Sequence, residues 1–356
     1  MTERARYVAQ ALNDVAASLL IVAGMPADKA AAVADVLVDA DLMGHATHGL
    51  QLLPSYLEQI ASGGMTLSGD PDILSDHGAV VTWDGKRLPG AWLMQQAIAV
   101  ASERARQFGI GAVSVRNSHH IGALATYARR VAEQDLVLLL MSSAPAGASV
   151  APYGGTRAVF SPSPIGVGIP TSGDAVVVDV STSITTNTLT SLRARAGEHM
   201  PGDWLLDEAG VPTNDPAVVI PPRTGTILPL GGMDAGHKGY GLSLMVESLT
   251  TGLAGHGRAE NAERLGATLF VQIIDPRAFG GIAGFTTQMD ALTKQCHDNP
   301  PIDASCPVRL PGERALQRRR SQLEHGVELD ERIIEGLEAW ARRLQVTWPP
   351  GSAAIR

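Results

Sequence analysis

Aromatic side chains make up only 4% of this 356-residue chain, so packing must rest on Ala, Val, Leu and Ile instead of on stacked rings. Cysteine is nearly absent. Cys296 and Cys306 both fall late in the chain, which excludes a disulfide scaffold and reads as two free thiols in a reducing compartment. There is no excess of positive charge either: the net charge is −8, which gives nucleic acid no electrostatic footprint. No apolar run reaches membrane-spanning length, and MTERARYVAQAL at the start has no apolar segment of a secretion signal behind its charges. Repeats and low-complexity segments are missing too. The expectation is a cytoplasmic protein with neither a nucleic-acid nor a membrane partner.

What is present fits an α/β protein. Hydrophobic residues are 45%, charged residues 18%, and 38 glycines supply tight turns. The length exceeds one simple core and calls for two domains or one elaborated domain. Residues 3–22 have helical spacing, and the stretch after Pro26 is a helix punctuated by proline at its start and Gly44 at its end. "AVVTWDG" reads as a strand, 93–108 as an amphipathic helix, "IGAVSVRN" as a strand, 123–134 as a helix and "DLVLLLMSSA" as an apolar strand. Residues 140–235 are rich in Pro, Gly, Ser and Thr, with short strands such as "AVVVDV". An apolar helix in "GHKGYGLSLMVESLTTGLAG", a strand in "ATLFVQIID" and a helical tail over 312–345 complete the reading, with Arg318, Arg319 and Arg320 as a solvated helix face.

The strand-to-helix turn in "VRNSHHIGAL" (115–124) sets two histidines at the carboxyl end of a strand, where ligands of open α/β sheets gather. The fingerprint of common dinucleotide folds, G-x-G-x-x-G, is absent. Gly109 and Gly111 lack the third glycine, Gly166 and Gly168 run into Pro170, and Gly255 and Gly257 follow a helix. Lys238 has His237 before it where a P-loop requires glycine. A Rossmann enzyme and a P-loop ATPase are both disfavoured. A metal held by His45, His48, His119 and His120 lacks any accompanying carboxylate spacing, so no metal is expected. Acid–base work suits the residues better: Thr47-His48 precedes Gly49 and Ser118-His119-His120 precedes Gly122, and a neighbouring hydroxyl can orient an imidazole. Spacing alone leaves a satisfied structural histidine open for each.

Nine blocks in order give the chain a likeness: "DLMGHATHGL", "NSHHIGALATYA", "APYGG", "SPSPIGVGIPT", "VDVSTS", "DEAGVPTNDP", "LPLGG", "HKGYGLSLMVESL" and "RLPGE". It resembles the malate/L-lactate dehydrogenase family, non-Rossmann NAD(P)-dependent 2-hydroxyacid oxidoreductases that include ureidoglycolate, sulfolactate and Δ1-piperideine-2-carboxylate enzymes. The resemblance implies an α/β mixed-sheet fold with N- and C-terminal helices packed together. It implies a helical, substrate-side domain from 1–124 and 301–356, a cofactor-binding domain from 125–300, and a homodimer. It implies hydride transfer between NAD or NADP and C2 of a small 2-oxo or 2-hydroxy acid, or of a related cyclic imine. A non-catalytic nucleotide- or metabolite-binding protein on the same fold is the alternative, and a metal-dependent hydrolase the third reading.

By the same resemblance the catalytic residues are His120 and His48, with Thr47 as hydroxyl partner. Of the adjacent pair, His120 carries the chemistry and His119 does not. The cofactor contacts are His120, Gly122, Ala123 and Leu124, then Asp179, Val180 and Ser181, then Lys238 at a helix start, then Pro311, Gly312 and Glu313. The chain departs from the family's pattern where an arginine usually follows the first histidine by four residues, since Leu52 stands there. It also has Ser161-Pro162-Ser163-Pro164 for the usual G-T-N-P, and a lengthened "GGMDAGHKGYG". These departures imply a divergent branch with a reshaped pocket.

Overall fold

The structure, a computed structural model, describes residues 5–260 and 266–351. The N-terminal helices are α1 (Ala9–Val22) and α2 (Ala27–Leu42), followed by two short 3-10 turns and α3 (Leu53–Ala61). Leu12, Val15, Ala16, Leu19 and Leu20 form the buried stripe of α1, at the three- and four-residue spacing a helix facing a core requires. The helix expected from residue 3 begins only at Ala9, because β1 (Arg6–Tyr7) pairs with β12 (Val327–Glu328) as a two-stranded ribbon. Residues 3 and 4 themselves lie outside the described residues. The same ribbon splits the helical tail into α9 (Glu313–His325) and α10 (Glu331–Leu344).

A seven-stranded sheet follows, built from β2 (Asp72–Asp76), β3 (Val80–Asp84), β4 (Ile110–Ser118), β5 (Val137–Ser143), β6 (Ile165–Ile169), β7 (Val176–Val180) and β11 (Ala267–Ile274), in the order β2-β3-β4-β11-β5-β6-β7. β3 and β4 run parallel, joined by α4 (Gly90–Phe108), and the other neighbours are antiparallel. A parallel pair needs such a crossover, whereas the antiparallel pairs do not. This mixed sheet is not a doubly wound one, in keeping with the missing glycine fingerprint. α5 (Leu124–Ala132) packs on β5, β6 and β7.

The sheet runs across residue 124 without a break, since β4 pairs with β11, and the main core draws on residues from Tyr7 to Ala341. A small second core of Val150, Phe160, Met200, Leu205, Val219 and Ile227 lies under α6 (Asn187–Ala196) and a three-stranded sheet of β8 (Leu205–Leu206), β9 (Pro212–Thr213) and β10 (Thr226–Ile227). α7 (Gly232–Glu247) and α8 (Ile282–His297) complete the fold. The N- and C-terminal helices do pack together, α1 on α10 and α2 on α9.

One buried charge joins those helices. Asp39 of α2 is 3% exposed, and its Oδ2 accepts from Arg129 (2.8 Å) and Arg130 (3.0 Å) while its Oδ1 accepts from Arg319 (2.7 Å). Burial raises the Asp39 carboxyl, but the three arginines outweigh it and hold the group below its ordinary value. Arg319 is therefore not part of a solvated face, which corrects the reading of the arginine run. Only Arg320 of the three makes an exposed pair, with Asp174, while the side chain of Arg318 lies over Gly44.

Asp39→Asn keeps the shape of the side chain but removes the one carboxylate that Arg129, Arg130 and Arg319 share, leaving Arg129 with Glu133 alone. The expected loss is about 3–5 kcal/mol, as for other broken buried pairs, read from urea denaturation. A loss below about 1 kcal/mol would show that the joint is dispensable.

Candidate active site

Strand β4 delivers the histidine pair. At its end Asn117 adopts a left-handed φ of 52° and donates from Nδ2 to Asp84, and Ser118 Oγ donates to the carbonyl of His119 at 2.8 Å. Gly90, the first residue of α4, presses on the same turn so closely that a Cβ there would collide with the carbonyl oxygens of His119 and His120. The turn is thus clamped from both sides before α5 begins.

His120 packs its ring against Tyr56 and His48 while keeping part of its surface open to solvent. Its Nδ1 lies 2.7 Å from the hydroxyl of Tyr56 and accepts from the amide of Gly122 at 3.3 Å. A backbone amide can only donate, so this geometry makes Nδ1 the acceptor and leaves the ring hydrogen on Nε2. Burial, then the neighbouring His48 and His119, push His120 down to about 3, so the ring is neutral.

His48 arrives from the other side, in the 3-10 turn Ala46–His48. Helix α2 ends there in a Schellman closure: Gly44 takes a φ of 83°, its amide donates to Asp41, and the His45 amide donates to Ala40. Thr47 Oγ1 sits 2.9 Å from His48 Nδ1, and the His48 ring stacks on His120 with centroids 5.7 Å apart and planes at 25°. Burial lowers His48, and Asp179 works against that shift by favouring the charged ring.

His119 faces elsewhere. Its ring stands edge-on to Tyr56 at 5.4 Å, both ring nitrogens are buried with no hydrogen-bond partner among the described residues, and burial and Arg87 push it down to about 4. No group of three or more His, Cys, Asp or Glu comes together to hold a metal among the described residues.

The cofactor candidates converge along β7. Asp179 Oδ2 accepts the amide of Ala125 at 2.9 Å, setting a carboxylate on the first turn of α5, directly after Gly122, Ala123 and Leu124. A negative charge is favoured at that helix end. Val180 is exposed at the end of the strand, and Ser181 Oγ donates to Ser183 in the turn beyond. Thr182 ties α7 to this turn, accepting at its carbonyl from Leu230 and at Oγ1 from Ser243. Lys238 does not begin its helix: α7 starts six residues earlier, at Gly232. A kink at Ala235 (φ −128°, ψ 16°) lies just ahead of Lys238. Pro311 accepts the amide of Val177, and Gly312 (φ 86°) lies flat against that valine. Glu313 accepts from Leu310, and with Asp174, Asp290 and His297 it lines a cavity of about 330 Å³ at the far end of β7.

Two residues went unremarked in the sequence. Tyr56 lies in the apolar stripe of α3 with Leu53 and Leu57, where an aromatic reads as core; only its hydroxyl, which must find a partner once buried, hints at more. Asp41 lies in an apolar helical run and is 4% exposed. Leu52 is half-buried against the main core and brings no cation to the His48 turn.

In chemical kind the donor set suits a nicotinamide dinucleotide: a lysine and turn amides for phosphate, a carboxylate and hydroxyls for polar edges, and neutral imidazoles for a substrate oxygen. The sequence matches the family described as Malate/L-lactate dehydrogenase over residues 8–338. It is 31% identical over 339 residues to the L-sulfolactate dehydrogenase of Methanothermobacter thermautotrophicus, covering 92% of this chain and 94% of that one. The fold superposes on malate dehydrogenase from Pyrococcus horikoshii OT3 with a TM-score of 0.88, 25% identity and 98% coverage of both chains. The delta1-piperideine-2-carboxylate reductase of Pseudomonas syringae pvar. tomato gives a TM-score of 0.83 at 28% identity, covering 94% of this chain and 99% of that one.

Because His119 and His120 are held neutral when folded, the unfolded chain binds more protons below the ordinary value of 6.5. Stability from this source is complete above pH 6.5, is lost progressively as pH falls from 6.5 to the folded values of about 4 and about 3, and falls no further below them. Replacing both by glutamine should flatten the acid side of the melting-temperature profile; an unchanged slope between pH 4 and 7 would refute the assignment.

Proposed function

Since the chain belongs to the malate/L-lactate dehydrogenase family, we propose that it interconverts a small 2-hydroxy acid and its 2-oxo acid, or reduces a related cyclic imine. NAD or NADP, when bound, takes or supplies the hydride at C2. The observation that carries the reading is the stacked pair of His48, half-buried, and His120, part of whose surface is open to solvent, with Asp179 acting on His48.

The chain's own part is to move the proton. Two imidazoles stacked this closely hold one proton beyond their neutral forms at most, since each charge opposes the other. Asp179 favours that proton on His48. His120, its Nδ1 taken by Tyr56 and Gly122, presents Nε2–H to the substrate oxygen, where negative charge grows as a carbonyl is reduced. Oxidation of the hydroxy acid runs the other way, with the pair taking the hydroxyl proton. Thr47 orients His48. In this reading Lys238 meets the phosphates, Gly122, Ala123 and Leu124 flank the nicotinamide end with Asp179, Val180 and Ser181, and Pro311, Gly312 and Glu313 meet the other end.

We further propose a cytoplasmic homodimer. Met233, Leu244, Met245 and Leu253 leave apolar surface exposed along α7 and the turn after it, the kind of patch that a second copy covers. The two cysteines are free, which suits a reducing compartment. Light scattering at micromolar concentration should give twice the chain mass, and a monomer would count against the patch.

Absorbance at 340 nm with NADH or NADPH and a panel of 2-oxo acids and cyclic imines tests the reaction; no turnover and no nicotinamide binding would end this reading. His120→Asn and His48→Asn should each lower kcat by a factor on the order of 10²–10⁴. His119→Asn should cost far less, because its nitrogens hold nothing in place. The reverse ranking of His119 and His120 would refute the assignment.

A further inference from the structure

We infer that Asp41 is the positioning residue of the His48 turn, fixing the ring through the amide of Leu50 and the gap left by Gly49. The inference rests on the role proposed for His48. Asp41 Oδ2 accepts the Leu50 amide at 2.7 Å, spanning nine residues from the last turn of α2 to the far side of the histidine turn. Gly49 lies between (φ −92°, ψ −146°), and a Cβ there would collide with the Asp41 carboxylate. The glycine after His48 is therefore required for space. Gln322 of α9 clamps the other side, donating from Nε2 to the carbonyls of Asp41 (2.8 Å) and Leu42 (2.9 Å).

An apolar residue or an amide would fill this place more cheaply. The carboxylate is buried, it sits at the end of a helix whose dipole opposes it, and no cation hydrogen-bonds to it among the described residues. The charged or titratable groups facing it are Arg318 from α9, whose side chain lies over Gly44, and His45 and His48 on the turn. Burial pushes the Asp41 carboxyl up to about 7, with the Leu50 amide and then Arg318 opposing the shift. A costly group kept beside a working histidine is what a functional constraint looks like. Ionised, it grips the Leu50 amide about twice as strongly as a neutral acceptor would, so the turn tightens as pH rises through neutrality.

The test combines kinetics with a readout that needs no turnover. In protein labelled with ¹³C-histidine, the His48 ring signal, assigned by its loss in His48→Gln, should sense a step near pH 7 in the native chain. Asp41→Asn should abolish that step. It should also lower kcat for 2-oxo acid reduction by about tenfold or more, as small misplacements do, without changing KM for the cofactor. Gly49→Ala, which retains the charge but displaces it, should lower kcat in the same way, and it carries the test if Asp41→Asn fails to fold by circular dichroism. A native-like kcat and His48 titration in the folded variants would overturn the inference. A shifted His48 signal in a protein that turns over no 2-oxo acid would support the positioning role and reject the catalytic one.

Discussion

Two carboxylates buried in the last turns of α2, where the helix dipole already disfavours negative charge, constrain everything around the site. Asp39 is tolerated only because guanidinium groups reach it from two other helices, Arg129 and Arg130 from α5 and Arg319 from α9. Compensation and architecture are here the same contact. α5 starts beside His120 and is capped by Asp179, while α9 starts at the turn that lies on Val177. A single buried charge therefore sets the spacing between the histidine turn, the end of β7 and the glycine turn at Gly312. Separating any of these helices would strand a charge in the core, which couples the site to global stability.

Local surroundings give the histidines their character. Tyr56 and the Gly122 amide satisfy one nitrogen of His120, and burial together with the neighbouring imidazoles holds the ring neutral. His48 is half-buried, and it alone of the pair has a carboxylate acting on it, Asp179. Two rings of one chemistry are thus given different environments, the condition under which a pair of titratable groups divides donor and acceptor roles. His119 shows the opposite case. It adjoins His120 in sequence and is the more buried of the two, yet it meets Tyr56 only through its ring edge.

Local pattern revealed most of the elements, because α2, α4, β4, α5, β5 and β11 each carry periodicity and punctuation within their own span. The central position of β11 was not legible. Nothing within "ATLFVQIID" says that it inserts between β4 and β5, more than a hundred residues upstream, since register of that kind is decided by the whole sheet. The ribbon of Arg6–Tyr7 with Val327–Glu328 was hidden likewise: a short pairing across the length of the chain cuts off one helix and divides another. In the site, the histidines were visible because polar residues on glycine turns stand out. Tyr56 and Asp41 were not, because each lies within an apolar helical stripe, where a lone polar atom reads as a tolerated exception.

The missing glycine fingerprint has a structural counterpart. In doubly wound folds the first helix after a strand points free amides at a pyrophosphate, and the glycines let the phosphate approach. Here the helix in the equivalent position, α5, has its first-turn amide at Ala125 taken by Asp179 of the same chain. A phosphate brought there would meet a carboxylate of like charge. A phosphate would have to be met elsewhere, and in the function proposed for this chain that part falls to Lys238, just past the kink of a helix tied to the end of β7 through Thr182. The proposed site would draw on segments at 122–125, 179–183, 238 and 311–313, of which β7 meets the first through Asp179 and the last through Val177. No short motif can encode that arrangement, because no single loop contains it.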